Sequence, residues 1–325
     1  MDAAFQSETG WTLGDTLTFL DAVSALPGEE GVLPRQMPLA DFVRAVAREL
    51  GWDEGKVRAL LDLFSLTPRP NFLRPPSPWR REDVEPWRFN RRLSYLRRPL
   101  LLLGGETPSV GWGPRAVTSA SHYLLDLLQS GRFRANSTPL RQLLGEVNRR
   151  RGQAFNREVA AFLRTLGFRH VQEQAKVFGP VRMRDEQGLD LGDLDVLVLD
   201  ERRRRVYCVE CKNFGVARTA AEIHALFEQL ERGTATEKPI VVRHGRRVDH
   251  VRRHLPDILH HFGLTPEGWE VEGFIVFNRD SVAYYLSSAP LPVLSFEQFA
   301  LHMRRLVSFE GPMTAGTLSG PLQTK

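Results

Sequence analysis

Charged side chains interrupt two apolar stretches of the sequence GDLDVLVLDERRRRVYCVECKN, which runs from Gly192 to Asn213. Both stretches alternate with the two-residue period of a β-strand, and the polar insert between them has the length of a hairpin loop. We take Glu201–Arg204 as that loop. The side chains that then oppose each other on one face form two pairs, Asp195 with Glu210 and Asp193 with Lys212.

The opposition of Asp195 and Glu210 predicts a metal ion. Opposed side chains lie about 5 Å apart at Cβ, and two like charges there destabilise a sheet unless one is protonated or a cation intervenes. Mg²⁺, with Mn²⁺ as an alternative, takes such oxygen ligands and fills its other positions with water and phosphate oxygens. Lys212 adds a positive charge, so the set suits metal-dependent phosphodiester hydrolysis. Asp193 is left open between metal ligation and a pair with Lys212.

Two features of the surrounding sequence bear on this prediction. The alternative is a solvent-exposed hairpin face with an ordinary salt bridge, but the strands are too apolar for an outer hairpin. A third acid, Glu158, lies on the amphipathic helix predicted for Gln153–Leu166, three positions after Phe155, where an apolar residue is expected. This helix packs on the sheet, so Glu158 is expected to be a catalytic, metal-binding residue. The competing interpretation is a surface glutamate.

The elements that must position these residues lie between 145 and 307. The predicted order is a helix, three strands, a helix opened by Thr219 and Glu222, a basic helical region broken at Pro256, a strand in VEGFIVFN, and a last helix. This order predicts an α/β class with a mixed sheet flanked by helices. The tail at 308–325 is expected to be disordered.

The first 144 residues predict a separate, mainly helical region. A helical module is expected at 1–80, with helices at Asp15–Leu26, Asp41–Leu50 and Glu54–Leu66. The second and third helices either pack together simply or form a helix-turn-helix. A proline- and arginine-rich stretch opens a linker or accessory segment at 81–144, which holds short strands and a helix.

The site residues resemble the PD-(D/E)XK restriction-endonuclease-like nuclease superfamily over about residues 145–306. Asp195 in GDLDVL matches its first catalytic acid, and Glu210 and Lys212 in VECK match the second acid and the lysine. Glu158 matches the acid often found on the first core helix, and Leu194 replaces the usual proline. The resemblance implies an α-β-β-β-α-β core and a Mg²⁺-dependent endonuclease. It also implies a nucleic-acid partner and use in restriction, repair or phage defence. It does not decide between DNA and RNA, of which we favour DNA.

Further basic and sulfur-containing residues allow more than one interpretation. Four arginines of the histidine-rich region are predicted to contact phosphates, and a solvated surface is the alternative: Arg246, Arg247, Arg252 and Arg253. The same region holds His250 and His254, for which a basic face is favoured over a metal site. Cys208 and Cys211 have C-x-x-C spacing but face opposite sides of a strand, so core packing is predicted.

The composition excludes several protein classes. The net charge is +5 over 325 residues, which is weak evidence for nucleic-acid binding by itself. No membrane span or signal peptide is predicted, and two cysteines provide no disulfide framework, so a cytoplasmic protein is expected. The leading hypothesis is a metal-dependent nuclease. The alternatives are a non-catalytic nucleic-acid-binding or scaffold protein of the same fold, and an interaction module that binds a protein partner through residues 1–100. A homodimer is left open.

Overall fold

The computed structural model describes residues 1–27, 34–233 and 237–308, so the tail predicted to be disordered lies outside the described residues from 309 onward. The chain divides into two compact units. The first comprises residues 1–151 and 217–225, and the second comprises 152–216 and the residues from 226 onward. No helix of the described ranges is long and apolar enough to cross a membrane.

The first unit combines helices with a four-stranded sheet. Its elements are α1 (Asp2–Thr9), α2 (Leu13–Ala25), β1 (Arg35–Pro38), α3 (Leu39–Leu50), α4 (Glu54–Phe64), β2 (Ser65–Leu66), a 3₁₀ turn (Arg81–Asp83), β3 (Leu100–Leu103), β4 (Ser109–Trp112) and α5 (Pro114–Gln129). The strand order is β1-β4-β3-β2, antiparallel except for β2 and β3. The apolar faces of α3 and α4 enter one core with Trp112, as the packing interpretation expects.

This sheet differs from the predicted division at residue 80. Strand β1 pairs with β4 from Arg35–Trp112 to Pro38–Ser109, so the predicted helical module and the accessory segment share one sheet. Hydrogen bonds between their backbones bind the two segments together, and their side chains share one hydrophobic core. The N-terminal region therefore forms one α/β unit across the predicted boundary at residue 80, and the short strands and helix expected at 81–144 are part of it.

The second unit contains a five-stranded mixed sheet, consistent with the predicted α/β class. Its elements are α6 (Thr138–Thr165, which begins in the first unit), β5 (His170–Ala175), β6 (Val177–Phe178), β7 (Val181–Arg182), β8 (Leu194–Asp200), β9 (Arg205–Lys212), the end of α7 (Ala220–Phe227, which belongs to the first unit as far as Ala225) with a π turn (Glu228–Arg232), α8 (Ile240–Arg253), α9 (Leu255–His261), β10 (Glu270–Phe277), α10 (Val282–Tyr285), β11 (Val293–Ser295) and α11 (Phe296–Ser308). The strand order is β11-β10-β9-β8-β5. Strands β9, β10 and β11 run parallel, whereas β8 is antiparallel to both its neighbours.

The β8–β9 hairpin confirms the predicted register. Asp200 pairs with Arg205, which leaves Glu201–Arg204 as the loop. Cys208 and Cys211 are free and buried, and they belong to the separate clusters that cover the two faces of the sheet. The interpretation of both cysteines as core residues is therefore confirmed.

Helix α8 packs closely on strand β10 because Gly273 has no side chain. A Cβ atom at Gly273 would lie 2.6 Å from Cγ2 of Val248, 3.1 Å from Cδ2 of Leu291 and 3.5 Å from Nε2 of His244. Real Cβ atoms do not approach other atoms so closely, so a larger residue would push α8 away from the sheet. The helix break after Arg253 lies near the predicted one, with Pro256 in the first turn of α9.

We predict that Gly273→Ala lowers the free energy of unfolding by about 1–3 kcal/mol, the usual effect of overpacking a core. Gly245→Ala, on α8 itself, is the matched control, because its Cβ would meet no atom within 4 Å. That change should raise the free energy of unfolding by about 0.5–1 kcal/mol through helix propensity. Urea denaturation measures both values. Equal effects of the two substitutions would contradict the close packing of α8 on β10.

Candidate functional site

The predicted acids and lysine lie where the β8–β9 ladder ends. The last pair of residues in that ladder is Val196 with Val209. Beyond that pair, the backbone N–H of Cys211 donates a hydrogen bond to Oδ2 of Asp195 at 2.8 Å. A side chain thus takes the place of a strand partner there, while β9 continues beside β10 as far as Lys212 and Phe277. The end of the hairpin therefore opens and exposes polar groups to one another.

Asp195 is held by helix α6 as well as by β9. The Nδ2 atom of Asn156, a buried α6 residue, donates to Oδ1 of Asp195 at 2.8 Å. Burial and the negative charge of Glu210 raise the pKa of Asp195 from 3.8 to about 6, against the opposing effects of Lys212 and the two hydrogen bonds. The carboxylate is thus fixed in position although its charged form is disfavoured.

Glu210 is 3% exposed and is held by two cations. The Nζ atom of Lys212 lies 2.6 Å from its Oε1 atom, and the Nη1 atom of Arg247 donates to Oε2. Burial alone would raise the pKa of Glu210, but the charges of Lys212 and Arg247 outweigh burial and lower it to about 2. Burial likewise acts to lower the pKa of Lys212, and the charge of Glu210 reverses this and raises it. Both partners are ionised at neutral pH.

Helix α8 supplies a third contact to Glu210 through His244. This buried histidine has Nε2 at 3.0 Å from the carbonyl oxygen of Cys208 and Nδ1 at 3.8 Å from Oε2 of Glu210. Burial lowers its pKa to about 4, so the ring is neutral at neutral pH. We assign its proton to Nε2, which then donates to the Cys208 carbonyl. The unprotonated Nδ1 therefore faces the site.

The charges of this site balance without a metal ion. With Asp195 ionised, two carboxylates face the cations Lys212 and Arg247, so the repulsion that led us to expect a metal is already offset. The donor set still fits Mg²⁺, because that ion commonly takes one or two protein carboxylates and completes its shell with water and phosphate oxygens. Asp195 and Glu210 would supply those carboxylates, and the ion would compete with Arg247 for Glu210.

Glu158 lies away from this site, contrary to its predicted role. It is exposed, whereas Asn156 is buried and bonds to Asp195. Residues two apart on a helix point about 200° away from each other, so only one of them can face the sheet. Within residues 1–27, 34–233 and 237–308, no group of three or more His, Cys, Asp or Glu side chains is placed to hold a metal ion. The structure also pairs Lys212 with Glu210 and not with Asp193.

The four predicted phosphate-binding arginines separate into two groups. Arg247 points inward, where its Nε atom donates to the carbonyl oxygen of Leu191 at 2.7 Å in addition to its bond to Glu210. Arg247 therefore belongs to the site around Glu210 and not to the exposed surface of α8, and its predicted phosphate contact stays a prediction. The other three are exposed: Arg246, Arg252 with Asp249 at 2.8 Å, and Arg253 with Glu186.

Sequence reasoning missed Asn156, His244 and the inward direction of Arg247. The signal for His244 is its spacing from apolar residues, because positions 241, 244, 248 and 251 form one helical stripe that is buried throughout. Arg247 borders that stripe. Asn156 directly follows the buried Phe155, and its amide gave no indication of a charged partner.

A family model described as "Anti-phage protein Upx-like" matches residues 3–285. The chain belongs to the Upx-like family of anti-phage proteins. Comparisons with curated proteins and with solved structures find no match. The Upx-like match covers residues of both units and includes Asp195, Glu210 and Lys212. Membership indicates a role in defence against phages, one of the roles that the nuclease resemblance implied, and the family description names no reaction.

We predict that Asp195→Asn stabilises the protein more at pH 8 than at pH 4. The folded-state pKa of about 6 exceeds the ordinary 3.8, so ionisation of Asp195 opposes folding, an effect absent below pH 4 and complete above about pH 6. The change in free energy of unfolding should differ between the two pH values by on the order of 1–3 kcal/mol. Urea denaturation at both pH values measures it.

Asp193→Asn is the control for this prediction, because Asp193 lies two residues away and lacks the bonds to Asn156 and Cys211 that hold Asp195. It should change the free energy of unfolding at pH 8 less than Asp195→Asn does. An Asp195→Asn effect that is equal at both pH values, or larger at pH 4, would contradict the electrostatic description of the site.

Proposed function

We propose that this Upx-like protein defends against phages by hydrolysing phosphodiester bonds of nucleic acid, DNA in preference to RNA, with a divalent metal ion. One observation carries the proposal: two carboxylates and a lysine from different positions of a hairpin converge at its open end, with Nζ of Lys212 2.6 Å from Glu210. The chain order α6, β5, β8, β9, α7 and β10, with β6, β7, α8 and α9 inserted, is compatible with the core that the restriction-endonuclease-like resemblance implies. Both features support a nuclease.

Asp195 and Glu210 would hold the Mg²⁺ or Mn²⁺ ion. When bound, such an ion neutralises phosphate charge and lowers the pKa of a coordinated water. Asn156 and the Cys211 amide fix Asp195 in place, so its oxygens are oriented before any ligand arrives. Preorganised groups of this kind favour a transition state because they need little rearrangement during the reaction.

Lys212 has the role of a fixed positive charge in this proposal. Its raised pKa keeps it protonated, so it donates a hydrogen bond and stabilises negative charge, and it does not accept a proton. A phosphate that approaches Glu210 also meets the guanidinium of Arg247, whose planar fork suits phosphate oxygens. Arg247 can therefore exchange one anionic partner for another when substrate enters.

A non-catalytic nucleic-acid-binding or scaffold protein is the second candidate. The charge balance among Glu210, Lys212 and Arg247 favours it, since these groups satisfy one another without metal. The exposed position of Glu158 favours it as well, because the third acid expected from the resemblance is missing from the site. The two candidates differ in whether Lys212 affects cleavage or only stability and binding.

We predict that Lys212→Met cleaves nucleic acid at least ~100-fold more slowly than wild type, because one electrostatic contact to the transition state has this effect on rate. Lys176→Met is the matched control, since Lys176 is an exposed lysine of the same unit that pairs with Asp190 at 2.7 Å. Single-turnover cleavage of labelled single- and double-stranded DNA and RNA, with Mg²⁺ and with Mn²⁺, measures the rates. A binding curve for each protein separates rate from affinity.

The same variants connect chemistry with defence. Cells that express wild type or Lys176→Met should reduce phage plaque formation, and cells that express Lys212→Met at equal protein level should lose that protection. A wild type that cleaves none of the substrates with either metal, together with Lys212→Met that protects fully, would reject the nuclease and favour the scaffold.

We also propose that the three exposed arginines of α8 contact nucleic-acid phosphates: Arg246, Arg252 and Arg253. Their joint replacement by glutamine should weaken binding and lower the slope of log affinity against log salt by about 0.9 for each lost double-stranded contact. Fluorescence anisotropy at several salt concentrations measures the slope. Replacement of Arg44 and Arg58, exposed arginines of the first unit, is the control. An unchanged slope in the triple variant would identify its arginines as ordinary solvated side chains.

A further inference from the structure

Four arginines line a cavity of about 180 Å³ in the first unit, far along the chain from the acids of the hairpin. Three of them lie between the 3₁₀ turn and β3, and the fourth lies between α5 and α6: Arg92, Arg97, Arg98 and Arg134. The nuclease proposal uses none of them. The aromatic rings of Trp79, Tyr123 and Phe133 contribute to the same wall. Four like charges around one small space need an explanation.

Two of the arginines are fixed by groups of the protein. The Nε and Nη2 atoms of Arg92 donate to the two carboxylate oxygens of buried Asp83 at 2.7 and 3.0 Å. Arg98 donates to the carbonyl oxygens of Asp62 and Ser65, both at 3.1 Å. Both guanidinium groups lie over the ring of Trp79, at 5.1 and 4.8 Å from its centre. These two arginines form a rigid, positively charged wall.

Each of the other two arginines has one buried nitrogen atom that makes no hydrogen bond to the described residues. These atoms are Nη1 of Arg97 and Nη1 of Arg134. Arg97 lies over the ring of Phe133 at 5.0 Å, and Arg134 has only a distant carboxylate, Oε1 of Glu82 at 3.7 Å. Buried donors are normally satisfied, so two orphan donors in one cavity indicate a missing acceptor.

No carboxylate of the described residues compensates Arg97. Burial, together with the charges of Arg92, Arg98 and Arg134, lowers its pKa to about 10 against the opposing effect of Tyr123. Glu8 also lines the cavity, but its oxygens already accept hydrogen bonds from the backbone N–H groups of Asn136 and Ser137. A buried charge without a partner is strongly unfavourable, which favours an external anion.

We propose that this cavity binds a phosphate group through Arg97 and Arg134. Guanidinium groups match phosphate oxygens in bidentate geometry, and such charge-assisted bonds are stronger than neutral ones. The cavity is smaller than the roughly 300–1,000 Å³ of sites that enclose a drug-sized ligand, so it accommodates one phosphate or diphosphate group and leaves the remainder of a larger ligand outside. The phosphate belongs either to a free nucleotide or diphosphate, or to the end of a nucleic-acid strand.

The first test is the thermal unfolding of the full-length protein at constant ionic strength with sodium pyrophosphate, ATP, and one oligonucleotide with either a 5′-phosphate or a 5′-hydroxyl. A ligand of the folded state raises the unfolding midpoint in proportion to the logarithm of its concentration. A shift with pyrophosphate or ATP identifies a free phosphate ligand. A shift that requires the 5′-phosphate identifies a strand end. No shift with any of these probes overturns the proposal.

The second test uses Arg97→Met, which retains an apolar chain of similar length and removes the charge. It should bind the probe that raised the unfolding midpoint at least about tenfold more weakly, because one charge-assisted hydrogen bond is lost. Without the probe it should unfold at the same temperature as wild type or higher, because an uncompensated buried charge is gone. Arg134→Gln should weaken binding in the same direction and tests the site if Arg97→Met does not fold.

Two controls complete the design. Arg44→Gln, an exposed arginine of α3 paired with Asp41, should bind the probe as wild type does. Lys176→Met, an exposed lysine of the second unit, should also bind it unchanged. The cleavage test of the nuclease proposal uses Lys212 and neither Arg97 nor Arg134, so a failure of that proposal and a failure of this one can be told apart. Equal affinity of Arg97→Met, Arg134→Gln and wild type would overturn the site.

Discussion

The ion pairs of buried Glu210 hold the candidate site of the second unit together. A carboxylate that is 3% exposed is unstable without partners, and Lys212 and Arg247 supply two. Because Arg247 lies on α8 and Glu210 on β9, these bonds also fix the helix against the sheet. Removal of one partner of a buried pair typically costs about 3–5 kcal/mol, since it leaves the other charge unpaired. The geometry of the candidate site therefore depends on this cluster.

Two glycines leave the space that the ion pairs of Glu210 with Lys212 and Arg247 require. Gly192 has φ of +80°, a conformation that side chains disfavour, and a Cβ atom there would lie 3.1 Å from Nη2 of Arg247. Gly273 lets α8 approach β10 closely enough for His244 to reach the Cys208 carbonyl. The pKa values of Asp195 and Glu210 then move in opposite directions, although both acids end the same hairpin. The surroundings of the two carboxylates, and not their residue types, make these pKa values differ. Such a difference is common where two carboxylates have different roles.

The features that sequence could predict are those set by local periodicity. Strand alternation and a four-residue loop determined the register of β8 and β9, and hence the proximity of Asp195 and Glu210. The sequence could not predict which face of α6 packs on the sheet. Asn156 and Glu158 both border its apolar stripe, and only packing decides which of them faces inward. Short strands were expected at 81–144, where β3 and β4 lie, but β1, β2 and the pairing of the sheet were missed. The strands have two to four residues, too few to show a period, and β1 pairs with β4 over a long separation.

Local charge balance says more about ligands than the net charge of +5 does. Arg247 and Arg92 look equally basic in sequence, yet each is neutralised by a buried acid, Glu210 and Asp83 respectively. Arg97 is surrounded by other arginines instead, and its orphan donor has no such acid. A protein keeps an unfavourable buried charge when something outside the chain compensates it, as with active-site groups whose pKa values are strongly shifted. Many arginines of this Upx-like protein are thus paired with acids of the chain, and the phosphate site is proposed where the described residues give the buried guanidinium of Arg97 no such partner.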